Sequence, residues 1–190
     1  MNTPNKLTMF RMVVTPVFLA VILLDIPHRY LLATIVFSIA AITDAIDGKL
    51  ARKNNEVTVF GKLLDPVADK MLTTAALLAF MSLGLCNVWI VMIILTREFA
   101  ITSIRLIALS QGVVIPANIW GKLKTVSQMT FTIMIMLLNE IEEVFQISAK
   151  IEFFVLPDIS NMLLWVTAIL TVVSGVIYIA QSRKLIDFSK

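Results

Sequence analysis

The chain has 190 residues, of which 58% are hydrophobic and 15% are charged. A soluble domain usually carries about 25% charged residues, so the composition excludes an ordinary soluble protein and indicates one that is embedded in lipid. The formal charge of +3 would suit a nucleic acid, but the basic residues are spread along the sequence instead of forming one patch, and no nucleic-acid partner is expected.

Six apolar segments follow one another and predict six transmembrane helices in a single domain, residues 1–190. They cover residues 7–24, 30–46, 67–85, 89–109, 125–138 and 162–180. The first segment has no small-residue cleavage site, so it is expected to remain as the first span. The predicted fold class is all-α, a polytopic membrane bundle.

The orientation of this bundle follows from its lysine and arginine residues. Most of them fall at the ends of segments that would share one side of the membrane, which is typical of the cytoplasmic side. The connection around residues 139–160 is acidic and is expected outside, with no function assigned to it. An even number of spans then places both termini in the cytoplasm, in a multi-pass protein of the cell membrane.

Single copies of two residue types restrict the chemistry. Cys86 is the one cysteine and His28 the one histidine, which excludes an intramolecular disulfide and a histidine metal cluster. His28 is expected to be a solvated loop residue. A general base would therefore be a carboxylate or a lysine.

Acidic residues are concentrated where the second segment ends and the third begins. Helical spacing of three and four puts one group of residues on one face of the second helix and a second group on one face of the third. Pro66 is expected near the start of the third helix. The first group is Asp44, Asp47, Gly48, Ala51 and Arg52, and the second is Gly61, Asp65 and Asp69. A cytoplasmic hairpin would bring the four carboxylates together.

Four carboxylates at a membrane surface need compensation, because each costs about 2.5–3.5 kcal/mol to insert. Two divalent ions would supply it, and oxygen ligands favour Mg²⁺ or Mn²⁺. Gly48, Ala51 and Gly61 leave room for a bulky ligand, or for close helix packing. Arg52 is placed to neutralise a phosphate, or belongs to the positive charges of the cytoplasmic side.

The complete pattern D-x2-D-G-x2-A-R-x8-G-x3-D-x3-D resembles the signature of the CDP-alcohol phosphatidyltransferases, which transfer a phosphatidyl group from a CDP-lipid to an alcohol. The resemblance implies that Asp44, Asp47, Asp65 and Asp69 bind two metal ions. It also implies that Asp69 is the catalytic base and that the protein is a homodimer. The residues implied around the CDP moiety are Asp44, Gly48, Ala51, Arg52 and Gly61.

Three shorter stretches, residues 4–11, 96–98 and 121–125, resemble bacterial phosphatidylglycerophosphate synthases and favour glycerol 3-phosphate as the acceptor of a group from CDP-diacylglycerol. Asn5 and Thr8 are expected either to bind the CDP-lipid or to cap the first helix. Four basic residues are predicted around the acceptor phosphate: Arg97, Arg105, Lys122 and Lys124. For Arg97 the alternative is a structural pair with Glu98, and for the other three a cytoplasmic charge cluster.

Other functions remain open at this point. The same chemistry with serine, inositol phosphate or phosphatidylglycerol as acceptor is the nearest alternative. An intramembrane prenyltransferase would also use aspartates and Mg²⁺, but in two separated motifs. An ion transporter would use buried acids, but it would leave Gly48, Ala51, Arg52 and Gly61 without a common explanation.

Overall fold

A computed structural model describes residues 3–54, 59–113, 119–146 and 156–183, and their side chains over 7–43, 67–68, 70–113, 119–146 and 156–183. All regular secondary structure in these ranges is α-helical, which confirms the predicted all-α class. The six helices are α1 (Thr3–Leu23), α2 (Arg29–Asn54), α3 (Val59–Ser82), α4 (Val88–Ser110), α5 (Ile119–Phe145) and α6 (Leu156–Ser182).

The helix boundaries depart most from the sequence prediction where charged residues lie at helix ends. α2 continues to Asn54 instead of ending at residue 46, and α3 begins at Val59 instead of residue 67. Pro66 therefore lies inside α3 and not at its start, so that expectation was wrong. α5 also continues well beyond residue 138, to Phe145. Hydropathy falls where polar residues begin, but the backbone hydrogen bonds of a helix continue through them.

Within the described residues, the six helices form a closed ring. α1 packs on α2, α2 on α5, α5 on α6, α6 on α4, α4 on α3, and α3 on α1. Phe18 of α1 meets Phe37 of α2 with ring centroids 5.6 Å apart, a favourable aromatic pairing at the most extensive of these contacts. α4 and α5 follow each other in sequence but are not neighbours in the ring.

Besides an apolar core, the bundle buries a set of polar side chains and exposes many large apolar ones. On α5 the buried face includes Gln128, Thr132 and Asn139, whereas Val126 and Ile141 are exposed. On α6 the buried positions include small and hydroxyl-bearing residues: Ser160, Thr167, Thr171, Ser174, Gly175 and Ser182. Small and polar contacts between helices with apolar surfaces outside are typical of bundles in lipid.

The length and hydropathy of one described helix, Leu156–Ser182, are sufficient to cross a bilayer, with a mean hydropathy of 2.3. Three shorter apolar stretches, Leu7–Leu23, Arg29–Thr43 and Lys70–Ser82, also occur in the described part of the chain. Trp89 and Trp120 each lie at the second position of a helix and are exposed, as interfacial aromatic residues are.

One end of the bundle is joined by contacts between α5 and the connection that precedes α2. Nδ1 of His28 donates to Oε1 of Glu140 at 2.6 Å, and the backbone N–H of Leu31 donates to Oε2 at 3.0 Å. Arg29 lies between Asp25, at 3.7 Å, and Glu143, at 3.8 Å. His28 is thus exposed in a connection, as expected, but it is bound to a carboxylate instead of being purely solvated.

The described parts of the acidic stretch that the sequence placed in the outer connection are largely helical. Residues 139–145 belong to α5, residues 156–160 belong to α6, and residues 147–155 lie outside the described ranges. Glu140 is buried at the start of this stretch, so at least one of its acids joins helices together instead of facing solvent.

Candidate active site

The acidic motif lies on two helices whose backbones are continuous through it. Asp44 and Asp47 fall in the C-terminal half of α2, and Asp65 and Asp69 fall in the N-terminal half of α3. The helical spacing of the motif is therefore confirmed at the level of the backbone, so residues three and four apart share a face. Both helices pack on α1, and they also contact each other.

The side chains of the motif lie outside the described residues. These are Asp44, Asp47, Gly48, Ala51, Arg52, Gly61, Asp65 and Asp69, together with Asn5 on α1. Their predicted roles in binding metal and CDP-lipid stay predictions. Among the side chains that the structure does describe, there is no group of three or more His, Cys, Asp or Glu residues able to hold a metal ion.

Thr8 is the one member of the predicted CDP-lipid set whose side chain is described. It is buried, and it lies more than one turn inside α1, which begins at Thr3. Thr8 therefore does not cap this helix, and that alternative is wrong.

A charged cluster joins three helices on the side of the ring next to α3. One carboxylate oxygen of Glu98 on α4, Oε1, accepts from Nη1 of Arg97 and from Nζ of Lys124 on α5, each at 2.9 Å. The second amino group of Arg97 donates to Oγ of Ser174 on α6 at 3.0 Å. The charge of Lys70, which follows Asp69 on α3, also acts on Glu98 and Lys124.

The balance of charge in this cluster is positive. Among the described side chains, Arg97 and Lys124 contribute two cations in direct contact with one carboxylate, that of Glu98. Lys124 is almost fully buried, with a side chain that is 5% exposed, whereas those of Arg97 and Glu98 are 16% and 21% exposed. A partly exposed cluster with excess positive charge, close to an acidic motif, is suited to a phosphate.

The structure brings together two of the four basic residues predicted for the acceptor, Arg97 and Lys124. Lys122 is exposed, whereas Lys124 is buried on another side of α5. The guanidinium of Arg105 lies over the ring of Tyr178, 5.9 Å from the centroid, about 12 Å along α4 from Arg97 by helical rise. Arg105 and Lys122 therefore stand apart from the cluster around Glu98.

The sequence indicates Glu98 only as a partner for Arg97 and does not predict Lys70 or Ser174 at this site. The structural pair between Arg97 and Glu98 is present, but it includes Lys124 as well. A signal for this was available, because a carboxylate within an apolar segment requires a cationic or polar partner in the bundle. The identity of that partner depends on how α4 and α5 are rotated, which hydropathy does not reveal.

An apolar groove of about 620 Å³ runs between α1, α3 and α4 and begins beside the motif. Val67 and Lys70, on either side of Asp69, lie at the α3 wall of the groove, which continues along that helix to Leu78. Leu19 contributes to the α1 wall and Phe99 to the α4 wall. The groove provides apolar surface next to the helix that carries Asp65 and Asp69.

Comparison with known proteins gives consistent results over almost the whole chain. Residues 1–173 match the model of the family described as CDP-alcohol phosphatidyltransferase. The chain is 37% identical to a CDP-diacylglycerol–glycerol-3-phosphate 3-phosphatidyltransferase of Bacillus subtilis, over 99% of this chain and 98% of the relative. An enzyme of the same name from Rickettsia bellii is 32% identical, over 96% of each chain. A probable phosphatidylglycerophosphate synthase of Mycobacterium tuberculosis is 36% identical, over 96% of this chain and 82% of the relative.

Proposed function

Because the chain belongs to the CDP-alcohol phosphatidyltransferase family, we propose that it makes phosphatidylglycerophosphate in phospholipid biosynthesis. The enzyme transfers a phosphatidyl group from CDP-diacylglycerol to sn-glycerol 3-phosphate and releases CMP. The observation that carries this proposal is the complete acidic motif on α2 and α3, in a chain that matches relatives named for this acceptor along almost their whole length.

The donor set of the motif fits divalent metal. Asp44, Asp47, Asp65 and Asp69 offer oxygen ligands alone, which suits two Mg²⁺ or Mn²⁺ ions better than Zn²⁺. When bound, these ions would offset the negative charge of the pyrophosphate.

The remaining residues of the motif would hold the CDP-lipid. Gly48, Ala51 and Gly61 have small side chains, so a bulky nucleotide can approach the helix backbones there. Arg52 would neutralise a phosphate, and Asn5 and Thr8 would offer polar groups from α1. The apolar groove between α1, α3 and α4 offers surface to the acyl chains of the same lipid.

The proposed chemical step is direct displacement at phosphorus. A hydroxyl oxygen of glycerol 3-phosphate attacks the phosphorus that carries the diacylglycerol, the bond from that phosphorus to CMP breaks, and Asp69 accepts the hydroxyl proton. Arg97 and Lys124 bind the phosphate of the acceptor, since they form a positive cluster near α3 that is open to solvent on the side of Arg97 and Glu98. Arg105 and Lys122 contribute positive charge that attracts the anion from outside this cluster.

We also propose a multi-pass arrangement in the cell membrane, with six spanning helices and both termini in the cytoplasm. The burial of polar side chains and the exposure of apolar ones support it, as does the high hydropathy of Leu156–Ser182. The acidic motif would then face the cytoplasm.

A homodimer is proposed from the family resemblance, and light scattering of the detergent-purified protein at a range of concentrations tests it.

The decisive experiment for the function uses the purified protein in detergent with CDP-diacylglycerol and Mg²⁺. Glycerol 3-phosphate, serine, inositol phosphate and phosphatidylglycerol are supplied separately, and CMP and lipid product are quantified. CMP release that depends on glycerol 3-phosphate supports the proposal. Turnover with another acceptor alone contradicts the acceptor, and an absence of CMP with all four contradicts the enzyme class.

The assignment of Asp69 is tested by Asp69→Asn. We expect a loss of about 10²–10⁴-fold in kcat, because the variant retains the shape of the side chain but cannot accept the proton. Asp25→Asn is the matched control, since Asp25 is exposed in the connection between α1 and α2 and pairs with Arg29 at 3.7 Å. Near-normal turnover of Asp69→Asn with metal bound would show that another group is the base.

A further inference from the structure

We propose that Glu98 is a positioning residue for the acceptor: its carboxylate fixes Arg97 and Lys124 in the arrangement that binds the phosphate of glycerol 3-phosphate. This inference rests on the proposed function, because it assigns a role within the same site. Glu98 does not contact the reacting atoms in the proposed reaction. It acts through two cations that lie on different helices, Arg97 on α4 and Lys124 on α5.

The two cations meet at one atom of Glu98. A single oxygen of Glu98 accepts hydrogen bonds from both Arg97 and Lys124, at 2.9 Å each. Adjacent residues of a helix point about 100° apart, so Arg97 and Glu98 must bend toward each other to meet. Because α4 and α5 are not neighbours in the ring, this carboxylate is a direct polar connection between them.

Arg97 is also held from its other side. Its second amino group donates to Ser174, and Gly175 allows its aliphatic part to lie against α6. A Cβ atom placed on Gly175 would be 3.0 Å from Cγ of Arg97, which is closer than side chains normally approach. Ser174 and Gly175 therefore determine where this guanidinium can lie.

Lys124 depends on Glu98 most strongly because it is buried. A buried cation without an anionic partner either loses its proton or turns toward solvent, since desolvation disfavours the charged form. With Glu98 ionised, Lys124 remains a fixed cation at a known position. Without it, the charge that binds phosphate would no longer be held there.

Glu98 does not cancel the charge of the site. Among the described side chains, this one carboxylate contacts two cations, Arg97 and Lys124, so positive charge remains for an anionic ligand. The partial exposure of Arg97 and Glu98 leaves the cluster accessible to a small ligand. The carboxylate is therefore an internal support of an anion site and not its occupant.

Glu98→Gln tests the proposal, measured with purified protein, CDP-diacylglycerol and Mg²⁺. The KM for glycerol 3-phosphate is expected to rise about tenfold, with the KM for CDP-diacylglycerol and the kcat changed less than about twofold. Inorganic phosphate is used as a competitive inhibitor against glycerol 3-phosphate, and its inhibition constant should rise by a similar factor. Glu143→Gln is the matched control, because it makes the same change at an exposed glutamate of α5.

The opposite result is equally informative. If Glu98 competes with the phosphate for the two cations, Glu98→Gln will lower the KM for glycerol 3-phosphate, and the proposal is overturned. A fall in melting temperature with both KM values unchanged overturns it as well, because the role is then structural. If wild-type protein fails to release CMP with glycerol 3-phosphate, it is the proposed function that fails.

Gly175→Ala provides a second variant that leaves the charges in place, in case Glu98→Gln does not fold. The added methyl group displaces Arg97, so the KM for glycerol 3-phosphate should rise about threefold or more while that for CDP-diacylglycerol stays constant. Val176→Ala, at the adjacent exposed position of α6, is its control. An unchanged KM in Gly175→Ala would show that the position of Arg97 does not matter to the acceptor.

Discussion

The two ends of α5 each carry a buried charged side chain, but the surroundings of the two charges differ. At one end Lys124 meets Glu98 in a cluster where positive charge is in excess. At the other end, about 24 Å away by helical rise, Glu140 accepts from His28 and from the backbone N–H of Leu31.

The difference is the one expected between the proposed acceptor site and a structural contact. Both oxygens of Glu140 are used, and one of them satisfies an N–H in the first turn of α2, which has no partner within its own helix. Around Lys124 the described side chains supply two cations, Lys124 and Arg97, in contact with one carboxylate. This excess of cations is the feature on which the proposed anion site depends.

Of the changes that test this comparison, Lys124→Met is expected to cause the largest loss of activity. Removing the buried amine leaves Glu98 with one fewer cation and removes charge from the acceptor site, so kcat/KM for glycerol 3-phosphate should fall about 100-fold. Lys122→Met changes an exposed lysine two residues away and should cause a much smaller loss. Equal losses in the two variants would show that general positive charge matters and burial does not.

Glu140→Ala should produce the reverse pattern. Loss of both contacts at that end should cost about 1–3 kcal/mol, which corresponds to a fall of about 2–12 °C in melting temperature. The KM for glycerol 3-phosphate should not change. Glu143→Ala, which removes an exposed partner 3.8 Å from Arg29, should lower the melting temperature less. A change in acceptor KM on losing Glu140 would mean that the two ends of α5 are coupled.

The smallest effect is expected when the native protein is treated with an alkylating reagent that reacts with Cys86. Cys86 lies between α3 and α4 and is buried, and burial raises the pKa of its thiol to about 12. Because the thiolate is the reactive form, alkylation at pH 8 should be slow and should accelerate as the pH rises toward 12. Mass spectrometry measures the rate of alkylation in the native and in the denatured protein. Rapid labelling of the native protein at pH 8 would show that the Cys86 thiol is accessible to solvent.

The positions of the helices could be predicted from the sequence, whereas their ends could not. Apolar runs located all six helices, because lipid-facing surfaces require them. The ends moved where Asp, Lys and Arg lower hydropathy without ending the backbone hydrogen bonds, so α2 continues to Asn54 and α3 begins before Pro66. The position of Pro66 inside α3 shows that the preference of proline for a first turn is a tendency and not a rule.

Part of the candidate site could likewise be predicted from the sequence, and part could not. The spacing of the acidic motif predicted continuous helix around Asp44 and Asp69, and the backbone agrees. The contact between Glu98 and Lys124 could not be predicted, because it depends on the rotation of two helices that are 26 residues apart at this contact. For the same reason Lys122 and Lys124 had equal standing in the sequence, although one is exposed and the other is buried.

The closed ring of helices has a consequence for the order of synthesis. α1, α2 and α3 contact one another, so the partners within this group are all present once α3 has been made, whereas α4 has its larger contact with α6, the last described helix of the chain. Ser174, which accepts from Arg97, belongs to α6. A chain that stops before α6 would therefore carry the whole acidic motif but lack this contact of the proposed acceptor site.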